Sequence, residues 1–169
     1  MSSPSLIALV GFMGSGKSTI GPLLAGRLAY DFVDLDREIE SRAGARVSDI
    51  FATRGESTFR EIEGRVLAEL LGAEARVLAT GGGAFAQPKA AETLLARAFV
   101  VHLDCDFDEA CRRAALQGGR PLLENGPAAA AALYAERKDK YARAHVTIDT
   151  TLRSPEEVVA EIARLLPQP

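Results

Sequence analysis

Apolar positions along the chain alternate between two spacings. Short unbroken runs, Leu6 to Val10, Phe32-Val33, Val77 to Ala79, Phe99 to Leu103 and Val146 to Ile148, have the length and composition of buried strands. Between them apolar residues fall three and four apart, as at Ile20, Leu23, Leu24 and Leu28 or at Phe59, Ile62, Val66, Leu67 and Leu70, which is the spacing of a helix face. Short strands alternating with amphipathic helices predict an α/β domain on a mostly parallel sheet. The last helix carries its own start signal: Ser154 as N-cap, Pro155 at the first helical position and Glu157 closing a capping box. Gly126-Pro127 followed by alanines at 128–132 predicts another helix start. From Gln117 to Gly126 the periodicity lapses and Gly118-Gly119-Arg120-Pro121 punctuates the chain, which reads as a mobile loop and, on an α/β enzyme, as a lid carrying an arginine.

Composition narrows this picture. At 169 residues the chain predicts one folding unit, and its 47% hydrophobic and 25% charged content fits a soluble globular protein. A formal charge of -3 excludes bulk attraction for nucleic acid, so any anion site must be built locally. No stretch is long and apolar enough for a bilayer, and Met1 to Ser5 lacks the charged start of a signal peptide, so a cytoplasmic protein without membrane partners is expected. Cys105 and Cys111 read as reduced thiols, and His102 and His145 as structural residues of strands.

The chemistry begins at Gly11-Phe12-Met13-Gly14-Ser15-Gly16-Lys17-Ser18, a P-loop pattern placed between a strand and a helix. Glycines let successive backbone N–H groups converge on phosphate oxygens, and the helix directs its positive end at the same point. Gly14, Ser15, Gly16, Lys17, Ser18 and Thr19 are therefore the expected nucleotide-binding residues, with Lys17 on the β- and γ-phosphates and Ser18 on Mg²⁺. Pro22 falls inside the following helix, where it removes a hydrogen bond and has no evident function.

Two carboxylates, Asp34 and Asp36, lie at the end of the second strand. Residues two apart in extended backbone face the same way, so both can line one cleft; equally, Asp36 can cap the helix that starts beside Arg37. Arg60 starts a helix, where a cation opposes the helix dipole and gripping a substrate carboxylate is a better use for it. Gly81-Gly82-Gly83 ends the third strand and allows a ligand to approach the backbone. Arg120 and Arg137 add two permanent cations.

Together these pieces make the chain resemble the shikimate kinases over almost its whole length. The resemblance rests on residues 11–19, Asp34-Leu35-Asp36, Ile-Phe-Ala-Thr-Arg-Gly-Glu at 50–56, Phe59-Arg60, Ala-Thr-Gly-Gly-Gly-Ala at 79–84 and Arg-Pro-Leu-Leu at 120–123. It implies one kinase domain over 1–169: a three-layer αβα P-loop fold with a five-stranded parallel sheet in the order 2-3-1-4-5, a substrate-binding region at about 34–63 and a lid at about 114–127. It further implies a monomer that uses ATP and Mg²⁺ to phosphorylate the 3-hydroxyl of shikimate, on the route to chorismate and the aromatic amino acids.

The same resemblance assigns roles by residue. Asp36, Arg60, Gly82 and Arg137 bind shikimate, with Gly81 and Gly83 shaping the pocket; Asp36 accepts the hydroxyl proton. Asp34 joins Ser18 at the metal, Lys17 and Arg120 neutralise the transferring phosphoryl group, and Arg113 and Pro155 flank adenine. After Arg137 the family's proline and glutamate positions are Asp139 and Arg143, a departure that bears on helix packing. Two rivals remain: a small P-loop kinase for gluconate or a nucleoside monophosphate, which does not need Asp34, Asp36, Arg60, the three glycines and Arg137 together; and a nucleotide-binding switch, which needs neither Asp36 as proton acceptor nor Arg120 on a lid.

Overall fold

A computed structural model describes residues 4–72, 75–116 and 126–167. Five strands form a parallel sheet in the order β2-β3-β1-β4-β5: β1 (Leu6–Val10), β2 (Asp31–Asp34), β3 (Arg76–Ala79), β4 (Phe99–Asp104) and β5 (Val146–Asp149). Every apolar run picked out by its spacing is therefore a strand, with boundaries moved by two residues or fewer. The helices are α1 (Lys17–Leu28), α2 (Leu35–Ala43), α3 (Val47–Leu70), α4 (Pro88–Arg97), α5 (Phe107–Leu116), α6 (Pro127–Tyr141) and α7 (Pro155–Leu165).

The central strand explains the three layers. Alternate side chains of β1 leave opposite faces, and all are buried. Ala8 and Val10 join Leu78 and Val100 under α2, α3 and α4, through Leu35, Ile39, Phe59, Val66 and Leu94. Ile7 and Leu9 join Val77, Val101 and Ile148 under α1 and α7, through Ile20, Leu24, Val158 and Ile162.

Local signals hold at several helix starts. The Ser154 hydroxyl accepts from the Glu157 amide at 3.2 Å while the Glu157 carboxylate accepts from the Ser154 amide at 2.8 Å, completing the capping box. Pro127 occupies the first turn of α6. Pro22 sits on the exposed face of an otherwise continuous α1, where water can satisfy the Ser18 carbonyl that its ring leaves without a donor.

One expectation is corrected. Asp34 and Asp36 do not share an extended segment: β2 ends at Asp34, and Asp36 lies in the first turn of α2. Nor is Asp36 the cap. The Asp34 carboxylate accepts from the amides of Asp36 at 3.1 Å and Arg37 at 3.3 Å, satisfying donors that a helix start leaves open and turning the chain sharply off the strand.

Candidate active site

Parallel strands bring their C-terminal ends to one edge, and the loops leaving β1, β2 and β3 meet there. The loop from β1 into α1 wraps closely. At Gly14, φ is 73°, and a Cβ would lie 2.1 Å from the Ala110 carbonyl oxygen on α5, so only glycine fits. The buried Lys17 ammonium curls back over the loop, donating to the carbonyls of Gly11 at 2.7 Å and Phe12 at 2.9 Å. Ser15 is fully buried and Gly16 is the N-cap of α1, while Ser18 and Thr19 are exposed at its start. The Thr150 hydroxyl, next to the end of β5, donates to the Ser15 carbonyl at 3.1 Å and ties the loop to the far side of the sheet.

At the open end of this loop the Ser18 hydroxyl donates to the Asp34 carboxylate at 3.1 Å. Two hard oxygen donors side by side suit a Mg²⁺ that takes its remaining ligands from phosphate and water. Arg113, on α5, spends its guanidinium on the carbonyls of Thr150 and Thr151, both at 2.8 Å, and on Glu109 at 2.7 Å. It is thereby fixed against the loop that leads to Pro155, the first residue of α7.

The glycine strip after β3 is bounded by the other side chains singled out in the sequence. A Cβ on Gly81 would lie 2.7 Å from the Asp36 carboxylate; one on Gly83 would lie 2.5 Å from the Arg60 guanidinium and 3.1 Å from that of Arg137. One on Gly82 would be 3.4 Å from Arg137 and 3.7 Å from both the Gly11 carbonyl and the Met13 amide of the phosphate loop. Asp36, Arg60 and Arg137 thus converge from α2, α3 and α6 on three residues that adjoin the phosphate cradle. Arg120 lies outside the described residues, as do residues 117–125 of the lid expected at about 114–127. The departures Asp139 and Arg143 are exposed.

Two residues of this pocket escape sequence reasoning. Glu63, buried one turn after Arg60, accepts from its guanidinium at 2.8 Å. Burial pushes the Glu63 carboxyl above its ordinary pKa, and Asp36 adds to this, while Arg60 and Arg137 oppose it. The i,i+3 spacing of arginine and glutamate was the available signal. Tyr141 is buried and donates from its phenol to the Gly82 carbonyl; its spacing of four from Arg137 on α6 was the corresponding signal. Phe59 and Phe51 flank Arg60, with its guanidinium 5.3 and 5.9 Å from their ring centres. Beneath the pocket, burial lowers the His102 imidazole to about 4, so it is neutral near pH 7, as a structural residue of β4 should be.

A doubly wound parallel sheet with a P-loop sequence after β1, facing a polar pocket at the strand ends, is a P-loop kinase fold. Comparison with known proteins gives the family. The shikimate kinase family model matches residues 13–167. Shikimate kinases from Geobacter sulfurreducens and Symbiobacterium thermophilum are 45% and 46% identical, covering 93% and 95% of this chain and 88% and 95% of their own. The shikimate kinase from Acinetobacter baumannii, solved in complex with shikimate, superposes with a TM-score of 0.91 at 39% identity, over 96% of this chain and 92% of its own. The chain belongs to the shikimate kinase family.

Proposed function

We propose that the protein transfers the γ-phosphoryl group of ATP to the 3-hydroxyl of shikimate. The observation that carries this reading is the glycine strip, with two guanidinium groups at Gly83, a carboxylate at Gly81 and the phosphate loop beside Gly82. Shikimate has an anionic end and a face of hydroxyls, and the strip offers cations to one and a carboxylate to the other.

Arg60 and Arg137 bind the substrate carboxylate through charge-assisted hydrogen bonds. Glu63 fixes the Arg60 fork, and Phe51 and Phe59 restrict its swing. Asp36 accepts the proton of the attacking hydroxyl as its oxygen bonds to the γ-phosphorus and the bond to ADP breaks. Lys17 exchanges its loop carbonyls for phosphate oxygens and neutralises charge there. Mg²⁺, held through Ser18 and Asp34, supplies further neutralisation of the phosphates when bound. Gly14, Ser15, Gly16 and Thr19 complete the cradle, Arg113 and Pro155 flank adenine, and Arg120 arrives with the lid at about 114–127.

A monomeric single-domain kinase is part of the same reading. The net charge of -3 and two free thiols suit a cytoplasmic enzyme without nucleic-acid or membrane partners. No helix among the described residues is long and apolar enough to cross a membrane. An ADP-release assay with shikimate, gluconate and AMP as alternative acceptors tests the reading. Turnover with shikimate is expected; turnover confined to gluconate or AMP would overturn it.

A further inference from the structure

We propose that Tyr141 is a positioning residue of the acceptor pocket: its hydroxyl ties the end of α6 to Gly82 and so sets where the Arg137 guanidinium, one turn earlier, stands over the glycine strip. This rests on the shikimate kinase reading and deepens it.

Tyr141 ends α6 one turn after Arg137, on the same face, and only 2% of it is exposed. Its phenol donates to the Gly82 carbonyl, and its ring stacks on His102 with centroids 4.9 Å apart. The Arg137 guanidinium stands beside the same glycine, where a Cβ on Gly82 would lie 3.4 Å from it. Burial raises the phenol to about 12, so it remains a donor at any working pH. One hydroxyl therefore registers the end of α6 against the loop after β3, and that loop abuts Gly11 and Met13 of the phosphate cradle. Without it, the part-buried Gly82 carbonyl loses its donor and the end of α6 loses its tie to the glycine strip, while the ring stack on His102 survives.

The test is steady-state kinetics and shikimate calorimetry on wild type, Tyr141→Phe, Arg137→Ala and the double variant. Tyr141→Phe is expected to raise the KM and Kd for shikimate about tenfold, as a carbonyl left without its donor lets the Arg137 end of α6 shift, with kcat and the KM for ATP within about twofold. In the Arg137→Ala background the same substitution is expected to add less than about twofold. An unchanged shikimate KM, a full tenfold loss repeated without Arg137, an equal loss of ATP affinity, or a variant already unfolded at the assay temperature would each overturn the positioning role. If wild type turns over shikimate and Tyr141→Phe matches it, only this inference falls. If wild type does not act on shikimate, the functional reading falls and takes the inference with it.

Discussion

The proposed phosphate cradle and the proposed acceptor pocket are built in opposite ways. The cradle is one continuous segment, Gly11 to Ser18, shaped by glycine and a helix start, and its lysine is satisfied by carbonyls of its own loop. The pocket is gathered from Asp36, Arg60, Glu63, three glycines, Arg137 and Tyr141, and its charged groups are held by one another. A contiguous site depends on local backbone geometry, whereas a gathered one depends on the helices that carry it. Damage to the first should therefore register on the nucleotide, and damage to the second on the acceptor.

The sharpest break falls on Asp36, where the pocket meets the reaction. Asp36→Asn is expected to lower kcat by about two to four orders of magnitude while ATP affinity, measured by calorimetry, stays within about twofold. Near-normal turnover would remove Asp36 as proton acceptor. Next in size is Arg60→Ala, expected to raise the KM for shikimate about 10- to 100-fold and leave that for ATP unchanged, because a charge-assisted partner of the carboxylate is lost. A change confined to ATP would dissolve the division between the two regions.

Gly14→Ala should give the reverse pattern. A methyl group 2.1 Å from the Ala110 carbonyl, at a φ of 73°, forces the loop open, and ATP affinity is expected to fall about tenfold with shikimate affinity unchanged. The last effect is on stability and lies beneath both regions, at His102. Its folded pKa of about 4 is below the ordinary 6.5, so the unfolded chain binds the additional proton between these values. Stability is expected to decline as pH falls from about 6.5 towards 4, by at most about 3 kcal/mol, and His102→Phe should flatten that dependence in thermal melts.

Legibility in the sequence follows the same division. Strands, the P-loop and the capping box at Ser154 were readable because each is encoded in a few adjacent residues. The strand order came through family resemblance, since spacing alone does not state which strands neighbour one another. Asp34 and Asp36 stand out in the sequence on a geometry the fold does not keep, because the period of a strand does not extend across what is the first turn of a helix. Glu63 and Tyr141 were passed over because a glutamate or tyrosine on a helix acquires meaning only when burial places it against a particular partner. Arg60 and Arg137 are legible from spacing only as spare cations; the family resemblance sets them at one substrate, and the fold gives the distances at which they meet Gly83.

The most direct test of the central claim is to identify the product formed with ATP, Mg²⁺ and shikimate by phosphorus-proton correlation NMR. With Asp36 at Gly81 and the carboxylate end held at Gly83, a single phosphate ester on the 3-hydroxyl is predicted, in step with ADP. A phosphate on another hydroxyl, or ADP released without any ester, would contradict the arrangement of the pocket.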